Sequence, residues 1–151
     1  MRPIALALAT AGVVAALDQA TKAIVKDEIV PGEHVDVIPG LQLSNVRNTG
    51  VAFGALEGAG LIVAVLIGLS LALLIAYFLV NRAMPLLWLP VGMLIGGAAG
   101  NLIDRAREGA VVDFIDPVRW PAFNVADSCI VVGVFVLLWV AERGARRAES
   151  S

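Results

Sequence analysis

The chain has 151 residues, of which 59% are hydrophobic and 16% charged, and its net charge is -2. Soluble domains carry roughly 45–50% apolar and about 25% charged residues, so this composition excludes a disordered chain and a soluble enzyme. One small integral membrane domain is the interpretation that remains. The single cysteine, Cys129, and the single histidine, His34, exclude an intramolecular disulfide and most histidine-based zinc sites. No run of Lys and Arg resembles a nucleic-acid patch, so nucleic acid is not an expected partner.

Long uncharged segments indicate where the membrane spans lie. Crossing about 30 Å of hydrocarbon takes about 20 helical residues, and Gly58–Val80 and Ala83–Ile103 both exceed that length. The outer runs, Pro3–Leu17 and Ser128–Ala141, are shorter, so each needs an acidic residue drawn into its helix. We therefore predict one all-α membrane domain over residues 1–151. Its predicted spans are residues 4–24, 59–80, 84–103 and 123–142.

The first segment has an alternative interpretation as a cleaved signal peptide, because Arg2 precedes an apolar run that ends in small residues. However, Asp18 and Lys22 stand four residues apart, in the order that favours a helical ion pair. We therefore expect the helix to continue past the apolar run and to remain as the first of four spans.

Basic residues near the span ends give the predicted orientation. Five lie in very short segments on one side, and six lie in two longer loops opposite. Their higher density in the short segments predicts that both termini and Arg82 are cytoplasmic. The two loops, residues 26–57 and 104–122, then face outward.

The outer loops also contain strand patterns. Apolar residues from Val35 to Val46 alternate loosely with polar residues around Pro39-Gly40, a pair that favours a turn. This pattern predicts a short β-hairpin resting on the membrane surface. Val111–Ile115 predicts a further extended segment, with Asp113 at its centre.

Polar residues close to membrane depth are costly and are therefore functional candidates. Here they cluster toward the outer side, and each also has a structural interpretation. Asn124 and Asp127 match a helix capping box in spacing, while Asp104 and Arg105 suit interfacial anchors. The cluster consists of Asp18, Lys22, Asn48, Asn101, Asp104, Arg105, Asp113, Asn124 and Asp127.

Small residues on the third span suggest close helix packing. Gly92, Gly96 and Gly100 repeat every four residues, a spacing that lets another helix approach closely. Asn101 and Arg105 share the adjoining face, where the arginine is placed to meet an acid from a neighbouring element.

Asp113 and Asp127 are separated by enough chain to fold back toward each other. Two adjacent carboxyl groups do not both ionise readily, so one holds a proton while the other acts as base toward a shared water. Water can then attack a peptide carbonyl with no metal and no covalent intermediate. The sequence has no His-Glu-x-x-His and no Gly-x-Ser-x-Gly motif.

Five motif blocks, in order and over nearly the whole chain, resemble the lipoprotein signal peptidases, also called signal peptidase II. The blocks are Asp18-Gln19 with Lys22, Asn48-x-Gly50-x-Ala52-Phe53, Gly100-Asn101-x-x-Asp104-Arg105, Val112-Asp113-Phe114 and Phe123-Asn124-x-Ala126-Asp127. The resemblance implies four transmembrane helices with a small extracytoplasmic β-platform. It also implies an aspartic endopeptidase of the bacterial inner membrane that needs no cofactor and no metal.

By the same resemblance, Asp113 and Asp127 would be the catalytic pair. The implied substrate is a prolipoprotein whose lipobox cysteine carries diacylglyceryl, cut just before that cysteine, and the implied inhibitor is the cyclic peptide globomycin. Substrate-binding or supporting residues would be Asn48, Gly50, Asn101, Arg105 and Asn124, together with Asp18, Lys22 and Asp104.

Three other functions stay open on the residues alone. They are a small transporter or channel, a non-catalytic scaffold whose acids serve as caps and ion pairs, and a carboxylate metal site. Glycines in residues 48–57 suggest a mobile lid. A monomer is expected, because one chain contains every candidate residue.

Overall fold

The computed structural model of the chain describes residues 2–50 and 60–149. Residues 51–57 of the predicted lid therefore lie outside the described residues. The described part is mostly helical and contains one small antiparallel sheet. Its elements are α1 (Arg2–Glu28), β1 (His34–Ile38), β2 (Leu41–Asn48), α2 (Gly60–Val80), α3 (Trp88–Glu108), β3 (Val111–Pro117) and α4 (Val125–Glu149).

Helix α3 packs directly against α1 along its glycine stripe. A Cβ atom on Gly92 would lie 2.7 Å from the carbonyl oxygen of Ala7, and one on Gly96 would lie 2.6 Å from that of Ala11. Both distances are shorter than van der Waals contact, so only glycine lets the two backbones approach this closely. The predicted packing role of the stripe is confirmed.

The opposite side of α3 packs against α4. A Cβ on Gly97 would lie 2.6 Å from the carbonyl oxygen of Ala126, near the start of α4. At the other end of the helices, an apolar cluster contains Phe78, Leu87 and Val140. Helix α3 is therefore the central helix, and its glycines hold α1 and α4 close on its two sides.

The three strands form an antiparallel sheet in the order β1-β2-β3. Gly40, at the tip of the β1-β2 hairpin, has φ +89°, a conformation that glycine adopts without steric cost. A register shift between Leu43 and Val46 is followed by the pairing of Val46 with Asp113. The predicted hairpin and the predicted extended segment around Asp113 are both confirmed.

Among the residues that the structure describes, two helices have the length and composition of membrane spans. They are Arg2–Glu28 and Val125–Arg146, with mean hydropathies of 1.6 and 2.1. Only 22% and 17% of the most apolar stretch of each helix is buried inside the protein, so most of the apolar surface of these two helices faces outward. Val65–Val80 of α2 is a shorter apolar stretch. The number of spans and their limits stay predictions.

Helix α1 does not end with its apolar run. It continues to Glu28, and Lys22 forms an ion pair of 2.8 Å with Asp18 one turn before it. The predicted continuation of the helix and the predicted ion pair are both confirmed.

Candidate active site

A buried lysine lies at the base of the polar cluster. Lys22 is 1% exposed, and its ammonium group lies 2.8 Å from a carboxylate oxygen of both Asp18 and Asp104. Its third hydrogen bond goes to Oδ1 of Asn101, at 3.0 Å. An ammonium group has three N–H donors, so each of them has a protein acceptor. Such complete pairing is what a buried charge requires.

Two asparagines continue the hydrogen-bond network from Lys22 to the two aspartates of the predicted pair. Asn101 donates from Nδ2 to Oδ1 of Asp127 at 2.8 Å. Asn124 donates from Nδ2 to Oδ1 of Asn101 at 3.1 Å and to Oδ1 of Asp113 at 2.7 Å. The chain between Asp113 and Asp127 therefore folds back and brings both aspartates into one network.

Asp113 lies in the middle of β3 and is 2% exposed. Its Oδ2 accepts a hydrogen bond of 2.8 Å from Nδ2 of Asn48, whose Oδ1 accepts one of 2.8 Å from the main-chain N–H of Gly50. Burial raises the pKa of Asp113 above its ordinary value; the hydrogen bond from Asn48 opposes this shift, and the negative charge of Asp127 adds to it. The surroundings of Asp113 thus favour its protonated form.

Asp127 lies in the first turn of α4, within a reciprocal cap. Oδ1 of Asn124 accepts from the main-chain N–H of Asp127 at 2.9 Å, and Oδ2 of Asp127 accepts from the main-chain N–H of Asn124 at 3.3 Å. The predicted capping box is confirmed. It is compatible with a functional role, because the cap leaves Nδ2 of Asn124 available to Asp113. Asp127 itself is only half-buried, so one side of it is open.

Asp18 and Asp104 connect the lysine to the segments that carry the two aspartates. Oδ1 of Asp18 accepts from the main-chain N–H of Ala126 at 2.9 Å, and Oδ2 of Asp104 accepts from that of Val112 at 3.3 Å. Gln19 adds a hydrogen bond of 2.7 Å to Oδ1 of Asp104. The sequence reasoning gave Gln19 no role, although its polarity within an apolar helix and its place beside Asp18 were signals.

Arg105 lies outside this network. It is exposed near the end of α3, and it forms no ion pair with any residue that the structure describes. One turn further on, Glu108 accepts hydrogen bonds from Lys26 of α1, at 2.5 Å, and from Arg47 of β2. The sequence reasoning missed these contacts, since the partners lie 82 and 61 residues away along the chain and no local spacing connects them.

The four carboxylate oxygens of Asp113 and Asp127 each accept one N–H hydrogen bond. A carboxylate oxygen can accept two, so each keeps a site for water or for a proton. The two side chains therefore keep polar sites that water or a substrate group can occupy. Within residues 2–50 and 60–149, no three His, Cys, Asp or Glu residues lie together in a way that suits a metal ion.

Comparison with known proteins gives a consistent family. The family model for signal peptidase (SPase) II matches residues 10–142. A lipoprotein signal peptidase of Pelotomaculum thermopropionicum is 43% identical over 129 residues, covering 84% of this chain and 85% of the relative. A lipoprotein signal peptidase of Syntrophus aciditrophicus is 40% identical over 148 residues, covering 91% of this chain and 92% of the relative.

The fold is also similar to those of solved membrane enzymes. A bacterial membrane enzyme determined by the in meso method at 1.9 Å resolution superposes with a TM-score of 0.78 at 35% identity, covering 91% of this chain and 92% of that one. A second, determined by the same method at 2.3 Å, gives a TM-score of 0.77 at 34% identity, with coverages of 93% and 89%. The chain belongs to the signal peptidase II family of proteases, as its motif blocks predicted.

Proposed function

We propose that the protein is a membrane-embedded aspartic endopeptidase that removes signal peptides from diacylglyceryl-modified prolipoproteins. Asp113 and Asp127 are its catalytic residues. The observation that carries this proposal is the set of N–H donors that orient all four oxygens of these two side chains within one network. The network leaves the second lone pairs of the same oxygens for water and substrate.

The two aspartates divide the acid and base roles. We assign the proton to Asp113, because burial in the sheet raises its pKa, and the protonated carboxyl group polarises the scissile carbonyl. The half-buried Asp127 takes a proton from the attacking water. The tetrahedral intermediate then collapses, the C–N bond breaks, and Asp127 passes the proton that it took from water to the leaving amine. Asn48, Asn101 and Asn124 keep the carboxyl groups in place during these steps.

The family and the placement of the site support the proposed substrate and membrane arrangement. A lipid-anchored peptide holds its scissile bond near the interface, and cleavage occurs just before the lipidated cysteine. Four helices span the bacterial inner membrane with both termini in the cytoplasm, so that the dyad opens at the outer face. Helix α1 stays in the mature protein, because it supplies the buried Asp18 and Lys22. Every residue of the site comes from one chain, which suits a monomer, and globomycin is the expected inhibitor.

Cleavage of a diacylglyceryl-modified lipobox peptide by purified protein in detergent tests the proposal. Asp113→Asn and Asp127→Asn each remove one member of the dyad, so we expect each to lower kcat by at least about 10³-fold while the protein stays folded. Asp116→Asn is the matched control, since Asp116 also lies in β3 and its side chain makes no contact with the dyad network among the described residues. It should cleave at the wild-type rate.

Other results would identify the rival functions. Loss of wild-type activity in EDTA would support a metal site instead of a water-activating dyad. Folded Asp113→Asn and Asp127→Asn variants that restore full function in cells would support a non-catalytic scaffold. An ion flux through the purified protein in liposomes would support a transporter or channel.

A further inference from the structure

We propose that Lys22 is a positioning residue that sets the direction of the hydrogen bonds reaching the two catalytic aspartates. It touches neither of them in the hydrogen-bond network; it acts through the amide of Asn101. This inference rests on the proposed function, because it concerns how the dyad is oriented.

The side chain of Lys22 presents only hydrogen-bond donors. Its ammonium group lies among three oxygen atoms, which belong to Asp18, Asp104 and Asn101. At 1% exposure it has almost no access to water that could exchange for one of these partners. Any group facing Lys22 must therefore present an acceptor.

The side-chain amide of Asn101 has an acceptor end, Oδ1, and a donor end, Nδ2. Oδ1 lies 3.0 Å from Nζ of Lys22, which turns Nδ2 toward Oδ1 of Asp127 at 2.8 Å. A reversed amide would place N–H groups against the ammonium of Lys22 and an oxygen against the carboxylate of Asp127. Both contacts would become repulsive, so the lysine fixes which end of the amide reaches the dyad.

The hydrogen bonds of Asn124 run in the same donor-to-acceptor direction as those of Asn101. The oxygen of Asn101 that faces Lys22 also accepts from Nδ2 of Asn124 at 3.1 Å. That nitrogen also donates to Oδ1 of Asp113 at 2.7 Å and lies 3.4 Å from the carbonyl oxygen of Val112, while Oδ1 of Asn124 accepts from the main-chain N–H of Asp127. Lys22 and the main-chain N–H of Asp127 therefore hold the two amides in one direction, in which they place donors on both aspartates.

The lysine is itself held in place by carboxylates on α1 and α3, which also bind main-chain N–H groups of α4 and β3. Asp18 binds Lys22 through Oδ2 and the start of α4 through Oδ1. Oδ2 of Asp104 binds Lys22 and also accepts from the main-chain N–H of Val112, the residue before Asp113 in β3. A Cβ on Gly100 would lie 2.5 Å from Oδ2 of Asp18, so this glycine leaves the space that the ion pair occupies.

A double-mutant cycle in the peptide-cleavage assay tests the inference. Lys22→Met keeps the length of the side chain but removes all its donors. In the wild-type background we expect kcat to fall roughly 10- to 100-fold, with KM within about twofold, since the loss lies in the orientation of the dyad. In the Asn101→Ala background the same substitution should lower kcat by less than about threefold, because the amide through which Lys22 acts is already absent.

Lys26→Met is the matched control. Lys26 lies one turn further along α1, pairs with Glu108 and has no contact with Asn101 among the described residues. Its kcat should match that of the wild type. A second variant protects the test against misfolding by combining Lys22→Met with Asp18→Asn and Asp104→Asn. It leaves no buried carboxylate without a cation, and its asparagine oxygens can still accept hydrogen bonds from the main-chain N–H groups of Ala126 and Val112. It should show the same loss of kcat.

Two results would overturn the inference. One is an equal fold-loss in kcat when Lys22→Met is made in the wild-type and Asn101→Ala backgrounds, because two independent effects on kcat multiply. The other is a lowered melting temperature with an unchanged kcat. A wild-type protein that fails to cut the lipidated peptide, or an active Asp113→Asn variant, would instead refute the proposed function and the inference with it.

Discussion

Asp113 and Asp127 have different surroundings although they share the amide of Asn124. Asp113 is enclosed in β3 at 2% exposure, whereas Asp127 is half-buried at the first turn of α4. The start of a helix favours negative charge, because its free N–H groups point outward there. Burial in the sheet favours the neutral acid. The fold thus gives the two carboxyl groups different electrostatic surroundings, one inside the sheet and one at a helix start.

Removing the Asn48 side chain should change the pH dependence of cleavage in a defined direction. Its hydrogen bond opposes the upward shift in the pKa of Asp113, so in Asn48→Ala that pKa should rise further. Protonated Asp113 is the active form in the proposed mechanism, and activity is lost as pH rises through its pKa. We therefore expect the alkaline limb of the kcat/KM profile to move to higher pH, with a lower rate at the optimum.

Gln42→Ala is the control for this change, because Gln42 lies on the same strand and bonds Asp36 at the exposed side of the sheet. Its profile should match that of the wild type. An alkaline limb that moves to lower pH in Asn48→Ala, or stays where it was, would contradict the assignment of the proton to Asp113.

At the scale of elements, α3 determines the distances within the site. Its glycines bring α1 close on one side and α4 close on the other. This places Lys22 of α1 within 3.0 Å of Asn101 on α3, which in turn lies 2.8 Å from Asp127 of α4. Helix packing and the geometry of the polar network therefore depend on the same small residues.

Gly96→Ala should destabilise the protein through this helix contact. The new Cβ would lie 2.6 Å from the carbonyl oxygen of Ala11 and 2.8 Å from Cβ of Val14, so the backbones must move apart. We expect a loss of about 1–3 kcal/mol in unfolding free energy, which lowers the melting temperature in detergent by several degrees.

Gly12→Ala tests the same chemical change without the contact. Gly12 lies on α1 with nothing within 4 Å of an added Cβ, so alanine there should leave stability unchanged or raise it slightly. Equal melting temperatures for Gly96→Ala and the wild type would show that α1 and α3 can separate without cost.

Patterns along the chain predict the elements better than they predict the contacts between them. Local spacing was enough for the hairpin, the packing face at Gly96 and the cap between Asn124 and Asp127, because each depends on residues a few positions apart. The motif blocks brought Lys22 and Asn101 into the candidate set. The direction of the amide chain was not predictable, since it depends on distances between residues far apart in sequence.

At the scale of the whole molecule, polar contacts hold the sheet together and hold it against the helices. Within the sheet, Asn48 of β2 contacts Asp113 of β3. Farther along, Nδ2 of Asn45 donates to the carbonyl oxygen of Ile29, just after α1, at 2.7 Å. Glu108 then connects α3 with both α1 and β2. These contacts hold the sheet that carries Asp113 against α1 and α3.

The Glu108 contacts give the assembly a defined dependence on pH. Hydrogen bonds from Lys26 and Arg47 lower the pKa of Glu108 below its ordinary value. A carboxyl group with a lowered folded-state pKa contributes stability above its unfolded-state pKa and loses it as pH falls through the folded-state value. Lys26 and Arg47 are 32% and 38% exposed, so solvent screening limits the contribution to about 0.5–1 kcal/mol.

Glu108→Gln should therefore melt at a lower temperature than the wild type at neutral pH. The gap should close as the pH falls below the ordinary glutamate range, where the wild-type carboxylate also loses its charge. Glu142→Gln is the control, because the pair that Glu142 forms with Arg146 is 60% and 75% exposed and connects only neighbouring turns of α4. Its melting curve should follow the wild type at every pH. If the melting temperature of Glu108→Gln stays below that of the wild type at low pH, Glu108 stabilises the molecule by packing and not by its charge.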